Sequence, residues 1–170
     1  MISKKLEHIE LLLLDVDGVL TDGRIIYNDQ GVQTQEFNAR DGLGIKLLMK
    51  AGIAVAIVTG RASKALQHRC RNLGITDIYD GVADKRALLR DIQKRFGLAA
   101  DRMAFAGDDL PDLGIMARVG LAIAVADAHA AVRQKADWVT SAGGGDGAVR
   151  EICEAILQAK GVWEKIVEDL

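Results

Sequence analysis

Cysteine is scarce in this sequence: Cys70 and Cys153 stand far apart in a chain of 170 residues. Two thiols at that spacing suggest neither a disulfide framework nor a clustered zinc site. Both lie in text with helical character, where a reduced cysteine packs as a small buried hydrophobe. Aromatic residues amount to only 4%, too few to build the stacked surfaces that hold single-stranded nucleic acid. Charge of one sign is not in excess either. A net charge of −2 provides no field to draw nucleic acid or an anionic membrane surface as a partner. The longest apolar runs fall well short of the roughly 20 residues that a membrane span needs. The opening residues MISKKLEHIE mix both charge signs and contain no apolar signal core, so a cytoplasmic location is the expectation.

What is present is an ordinary globular balance, 49% apolar and 27% charged, in a length that suits one domain. Short runs rich in Val, Ile and Leu recur: LLLLDV, IAVAIVT, DIYD, MAFAG, VGLAIAV and ADWVT. They are apolar almost throughout, as strands covered on both faces must be. Between them DGLGIKLLMKAG, ASKALQHRCRNLG, DKRALLRDIQKRFG and DLGIMARVG carry helical spacing, and each ends at a glycine suited to a left-handed C-terminal cap. Strands alternating with helices predict right-handed crossovers and a doubly wound parallel sheet of the α/β class. One segment breaks the alternation. GRIIYNDQGVQTQEFN, about residues 23–38, has two β-prone runs around Asn28-Asp29-Gln30-Gly31 and predicts a hairpin inserted after the first strand. Nothing else is long enough for a separate cap domain, so residues 1–170 are expected to form a single domain with a tail over about 160–170.

Asp15 and Asp17 follow four leucines directly, and Asp22 stands close behind. In an open parallel sheet, ligands bind beyond the carboxyl ends of the strands, and a residue just after an apolar strand is delivered to that edge. Side chains alternate while a strand persists, so Val16 is expected to face the core and both acids the crevice. Carboxylates this close repel unless a cation or a shared proton intervenes. Mg2+ is the economical answer, because it prefers hard oxygen ligands and keeps waters and phosphate oxygens as the remainder. Other segments bring matching groups to the same edge. AIVTGR ends in Thr59, Gly60 and Arg61; MAFAGDDLPD carries Asp108, Asp109 and Asp112; Lys85 opens the helix after DIYDGVADK. Acids for a metal, with a hydroxyl and cations for an anion, suit phosphoryl transfer, which depends on positioning and charge neutralisation. One aspartate would attack phosphorus and the other would exchange protons with the leaving alcohol and the hydrolytic water. Asp109 also suits the N-cap of the helix that follows. The three histidines, His8, His68 and His129, show no ligand spacing and are expected to be structural or exposed.

DVDGVLT, the Thr of VTGR, a lysine and GDDLPD, in that order, resemble the motif series of the haloacid dehalogenase superfamily of phosphatases. DVDGVLTDGRIIYNDQGVQTQEFNARDGLGIKLL, AVADAHAAVRQKADWVT and GGGDGAVREIC are similar to its small capless branch. That branch acts on the phosphate ester of an eight-carbon deoxy-keto sugar acid used for lipopolysaccharide. The resemblance implies a Rossmann-like fold and a magnesium-dependent phosphatase with Asp15 as nucleophile and Asp17 as general acid/base. It implies Thr59 and Lys85 on the phosphoryl oxygens. Asp15, Asp108 and the backbone carbonyl of Asp17 would hold the metal, helped through water by Asp109 or Asp112. Asp17, Asn38, Arg40, Asp41, Gly42, Gly60, Arg61, Arg69 and Lys85 would surround the substrate. A homotetramer is implied, its hairpins meeting near the centre and neighbouring subunits closing each site. Gly143 to Gly147 resembles a mobile tail segment, with Asp146 departing from the pattern.

Three other readings compete. A nine-carbon sialic-type acid phosphate shares the carboxylate and deoxy-keto end of the eight-carbon substrate. A phospho-accepting receiver uses similar groups, but there the phosphorylated aspartate lies on a later strand than the acidic pair. A non-catalytic assembly module would not need the full set of residues.

Overall fold

The computed structural model describes residues 2–169. In chain order the strands are β1 (Leu11–Leu14), β2 (Ile26–Tyr27), β3 (Gln33–Thr34), β4 (Ala54–Val58), β5 (Asp77–Tyr79), β6 (Met103–Gly107), β7 (Leu121–Ala124) and β8 (Trp138–Val139). The helices are α1 (Ile2–His8), α2 (Ala39–Lys50), α3 (Lys64–Leu73), α4 (Lys85–Phe96), α5 (Leu113–Met116), α6 (Ala130–Lys135), α7 (Ala148–Ala159) and α8 (Trp163–Glu168). Six strands pair in parallel in the order β5-β4-β1-β6-β7-β8. All six apolar runs are therefore strands. They read as unbroken apolar text because helices cover both faces. The four leucines of β1 are fully buried, and each such burial is worth roughly 2 kcal/mol.

The chain winds outward from β1 through α2, β4 and α3 to β5, then crosses back through α4 to β6 and continues through β7 to β8. Right-handed crossovers put α2 and α3 on one face and α4, α5 and α6 on the other. α1 and α7 join the first face, packed around α2. β1 and β6 are neighbours whose following helices cover opposite faces, so the chain ends parting there open a crevice at the carboxyl edge. Asp15 follows β1 and Asp108 follows β6. The fold thus delivers both acids to that point.

The expected hairpin is present as β2 and β3, with Ile26 opposite Thr34 and Tyr27 opposite Gln33. Asn28 closes its turn: Oδ1 accepts from the amides of Gln30 and Val32, and Gly31 is left-handed at φ 74°. Gly74 and Gly97 cap α3 and α4 in the left-handed conformation, as expected from their positions. Gly120 differs. Its φ is not positive, and a Cβ there would meet the Asp101 carbonyl oxygen at 2.0 Å. Close approach, not capping, requires glycine at that position, and α5 ends earlier, at Met116.

Three helices were not among the expected elements: α1, α6 and α8. α7, whose text around Cys153 has helical character, buries Val149, Ile152, Cys153, Ile156 and Leu157. Cys70 and Cys153 are both free and buried, in α3 and α7. Trp163 packs within the chain, with the Arg150 guanidinium 5.6 Å above its ring. Among the described residues, no helix is long and apolar enough to cross a membrane.

Candidate active site

β1 stops one residue before the acids. The Asp15 amide still donates to the Ala106 carbonyl, continuing the ladder with β6. Beyond it the chain coils around a single acceptor, the Val16 carbonyl, which takes the amides of Val19, Leu20 and Thr21 and the Thr21 hydroxyl. Val16 is buried while Asp17 reaches the crevice, as alternation suggested, though a loop does the presenting. Gly18 is left-handed at φ 86°, and a Cβ there would lie 2.1 Å from Asp108 Oδ2. Asp108 is thereby pressed against the Asp17–Gly18 backbone.

Lys85 is the positive centre of the cluster. Capped by Asp84, α4 starts at this lysine, whose side chain is only 5% exposed. Its Nζ sits 2.8 Å from Asp15 Oδ2 and 2.7 Å from Asp112 Oδ1. Burial alone would lower its proton affinity, but the two carboxylates outweigh it and hold the ammonium above the ordinary lysine value. Asp112 has both oxygens in use, since Oδ2 accepts from the amides of Asp108 and Asp109. Asp109 caps the turn Leu110–Asp112 with its own carboxylate, the N-capping role open to it from sequence.

Thr59 follows β4 and is buried, its amide donating to the Tyr79 carbonyl and its hydroxyl accepting from the Arg61 amide. Arg61 Nε lies 3.5 Å from Asp17 Oδ2. Asp15, Asp17, Thr59, Gly60, Arg61, Lys85, Asp108, Asp109 and Asp112 all line one crevice of about 420 Å³, closed by Gly23, Val82, Ala83 and Pro111. The strand-end residues expected to converge do converge.

The remaining expected residues are elsewhere. Asn38 caps α2 and donates through Nδ2 to the Gly145 carbonyl. Arg40 is exposed on the first turn of α2. Asp41 is buried and turned away from the crevice: its Oδ1 accepts from the Arg150 amide, supplying the cap that Gly147 cannot give α7. Burial raises its pKa above the usual carboxylate range, against the pull of the Arg150 and Gly147 amides. Arg69 donates to the Asn38 carbonyl and lies where a Gly42 Cβ would be, 2.2 Å from its Nη2. Asn38, Asp41, Gly42 and Arg69 make contacts between elements instead of lining the crevice, and Arg40 is exposed. The physical reason is that α2 starts one turn past the hairpin, with Asp41 of its first turn facing α7.

Gly143 to Gly147 packs on the acid loop. A Cβ at Gly144 would meet the Gly18 carbonyl oxygen at 1.8 Å, and the Gly145 amide donates to Val19. Two residues outside the expected set connect to the site: Gln35 donates to Asp17, and Ser63 donates to Gln35. Ser63 was legible as a helix cap, but nothing in the text marks Gln35.

The crowding has an electrostatic consequence. Asp15, Asp108 and Asp112 each offer an oxygen, all within 4.8 Å of one another. Burial, then the Asp112 charge, push Asp15 up to about 6, against the opposing pull of Lys85. Asp108 rises to about 7, from burial and the charges of Asp15, Asp112 and Asp109. Lys85 pairs with Asp15 and Asp112 but not with Asp108, leaving negative charge unmatched. An all-oxygen set with surplus negative charge fits a hard divalent cation.

A family model for haloacid dehalogenase-like hydrolases matches residues 71–152. The 3-deoxy-D-manno-octulosonate 8-phosphate phosphatase of Escherichia coli is 46% identical over 160 residues, 94% of this chain and 85% of the relative. The chain belongs to the haloacid dehalogenase-like hydrolases. Two solved structures of this hydrolase family superpose on it closely. The 3-deoxy-D-manno-octulosonate 8-phosphate phosphatase of Yersinia pestis has a TM-score of 0.94 at 44% identity, covering 95% of this chain and 88% of its own. The Moraxella catarrhalis enzyme of the same name, in complex with magnesium, phosphate and KDO, reaches 0.97 at 41% identity, covering 99% and 97%. The hydrolase fold here has no separate cap: the hairpin is the only insertion at the crevice among the described residues.

Proposed function

We propose that this chain is a magnesium-dependent phosphatase that converts 3-deoxy-D-manno-octulosonate 8-phosphate to the free sugar acid and phosphate, for lipopolysaccharide synthesis. The observation that carries the chemistry is Lys85 bridging Asp15 and Asp112 beside an unpaired Asp108. The substrate reading is supported by likeness over nearly the whole chain to a relative that holds magnesium, phosphate and KDO.

In this reading the Asp15 carboxylate attacks phosphorus, and the bond from phosphorus to the ester oxygen breaks. Asp17 gives its proton to the departing alcohol. Water then attacks the aspartyl-phosphate, Asp17 takes the water's proton, and the Asp15 carboxylate is restored with release of phosphate. Lys85 and the Thr59 hydroxyl bind phosphoryl oxygens, and Lys85 also keeps Asp15 ionised. Mg2+ held by Asp15, Asp108 and the Asp17 carbonyl supplies countercharge to the transferring group. Arg61 is the arginine of this chain best placed for the substrate carboxylate, because it lines the crevice and its fork suits two oxygens.

A water-excluding wall is still required, and the exposed hairpin supports its origin in other subunits. Ile26 is 41% and Tyr27 58% exposed, an apolar surface suited to burial in a homotetramer. In this reading the protein acts in the cytoplasm.

The test is phosphate release from the eight-carbon ester with and without Mg2+, for the parent and Asp15→Asn. Activity that requires Mg2+ and is lost in the variant is expected; persisting activity removes the nucleophile assignment. Parallel kcat/KM values for the eight- and nine-carbon esters decide the substrate, and equal efficiencies would overturn the eight-carbon choice.

A further inference from the structure

Past Asp15 the backbone ladder no longer constrains the acid loop, yet a proton-transferring carboxylate must be held in a defined place. Asp17 is gripped on both oxygens. Arg61 Nε lies 3.5 Å from Oδ2, and Gln35 Nε2 donates to Oδ1 at 3.1 Å. Gln35 comes from the base of the hairpin, one residue past β3.

Ser63 supports the amide orientation that points the Gln35 nitrogen at Asp17. Its Oγ caps α3 by accepting from the Leu66 amide at 3.3 Å. Asp17, which when ionised can only accept, takes the amide nitrogen, so the Ser63 hydroxyl gives its proton to Gln35 Oε1, 2.7 Å away. The amide oxygen therefore faces Ser63, and the amide nitrogen faces Asp17. A glutamine spans this gap without adding another charge to a crowded site. Tyr27 extends the same connection, its hydroxyl accepting from Arg61 Nη2 at 3.1 Å.

We propose that Gln35 is a positioning residue for Asp17, its amide oxygen held by Ser63, so that the hairpin base serves proton transfer as well as any subunit contact. The proposal rests on the phosphatase reading above.

The test compares two leaving groups. A sugar-acid phosphate, or another primary alkyl phosphate, leaves as an alkoxide that needs a proton; p-nitrophenyl phosphate leaves as a stable phenolate that does not. Gln35→Ala is expected to lower kcat/KM for the alkyl ester about tenfold and for the aryl ester less than twofold. Ser63→Asp keeps the helix cap but has no proton to give Gln35, so its carboxylate competes with Asp17 for the amide nitrogen and a smaller loss with the same selectivity is expected. Combining the two changes should cost no more than Gln35→Ala alone. Thermal unfolding of each variant guards against a damaged hairpin. Equal losses on both esters, or none on either, overturn the role of Gln35 while leaving the phosphatase intact. A parent chain inactive on every ester removes the phosphatase reading and this role together.

Discussion

Lys85 Nζ and Asp112 Oδ1 are 2.7 Å apart, with side chains 5% and 1% exposed. A buried ion pair of this kind adds little stability in itself, because desolvation offsets attraction, but removing one partner leaves an uncompensated charge. Lys85→Met would strand Asp15, Asp108 and Asp112 together. The metal-free protein should lose about 3–5 kcal/mol, measured by urea unfolding. Mg2+ should recover much of that difference. An unchanged midpoint would mean that the acids do not rely on Lys85.

Asp108 carries the pH dependence. Its folded value of about 7 exceeds the ordinary 3.8, so the proton it keeps stabilises the metal-free fold below the ordinary value. That contribution is lost as pH rises through about 7. Asp15, raised to about 6, acts in the same direction. A divalent cation must displace these protons, so its affinity rises with pH. The increase in Tm on adding Mg2+ should be clearly larger near about pH 8 than near about pH 5.5. Calorimetry in buffers of different ionisation enthalpy should register proton release. A pH-independent Tm shift would contradict this assignment.

Removing Asp108 should separate function from stability. Asp108→Asn relieves repulsion and is expected to raise the metal-free Tm by a few degrees, while abolishing the Tm response to Mg2+ and most phosphate release. Active sites commonly carry such strain, and its removal stabilises at the cost of activity. A variant that still responds to Mg2+ would place the ion elsewhere.

Two glycines should both lose stability but differ in their effect on activity. Gly144→Ala drives a methyl into the Gly18 carbonyl; a backbone shift of the acid loop should cost about 1–3 kcal/mol and lower kcat. Gly74 is left-handed with open space around it, so Gly74→Ala should cost about 1 kcal/mol and leave kcat unchanged. Denaturant unfolding paired with steady-state rates checks both.

The hairpin predicts assembly. Ile26→Glu together with Val32→Glu puts charge on exposed apolar positions and should reduce the tetramer to smaller species in light scattering. If the proposed tetramer shares the crevice walls between subunits, activity falls alongside. A monomeric parent would remove the tetramer from the proposal.

Much of this molecule was legible in its text. Six apolar runs became six parallel strands because strands covered on both faces leave no room for polar alternation. The hairpin followed from Asn28 to Gly31, and the crevice residues followed from a general rule, that a residue after a parallel strand lies at the carboxyl edge. Around Cys153 the helical character of α7 was legible, but its start was not, since its first residues emerge from glycines and its cap, Asp41, comes from a distant helix.

The sequence alone determined which side chains stand at the strand ends, because strand period and order are local properties. Tertiary structure decided what those side chains face. It turned Asp41 and Arg69 inward to join helices, set Lys85 between two acids, and brought Gln35 to Asp17 across 18 positions. Such pairings depend on crossovers and packing between elements far apart in the chain, which no local pattern encodes.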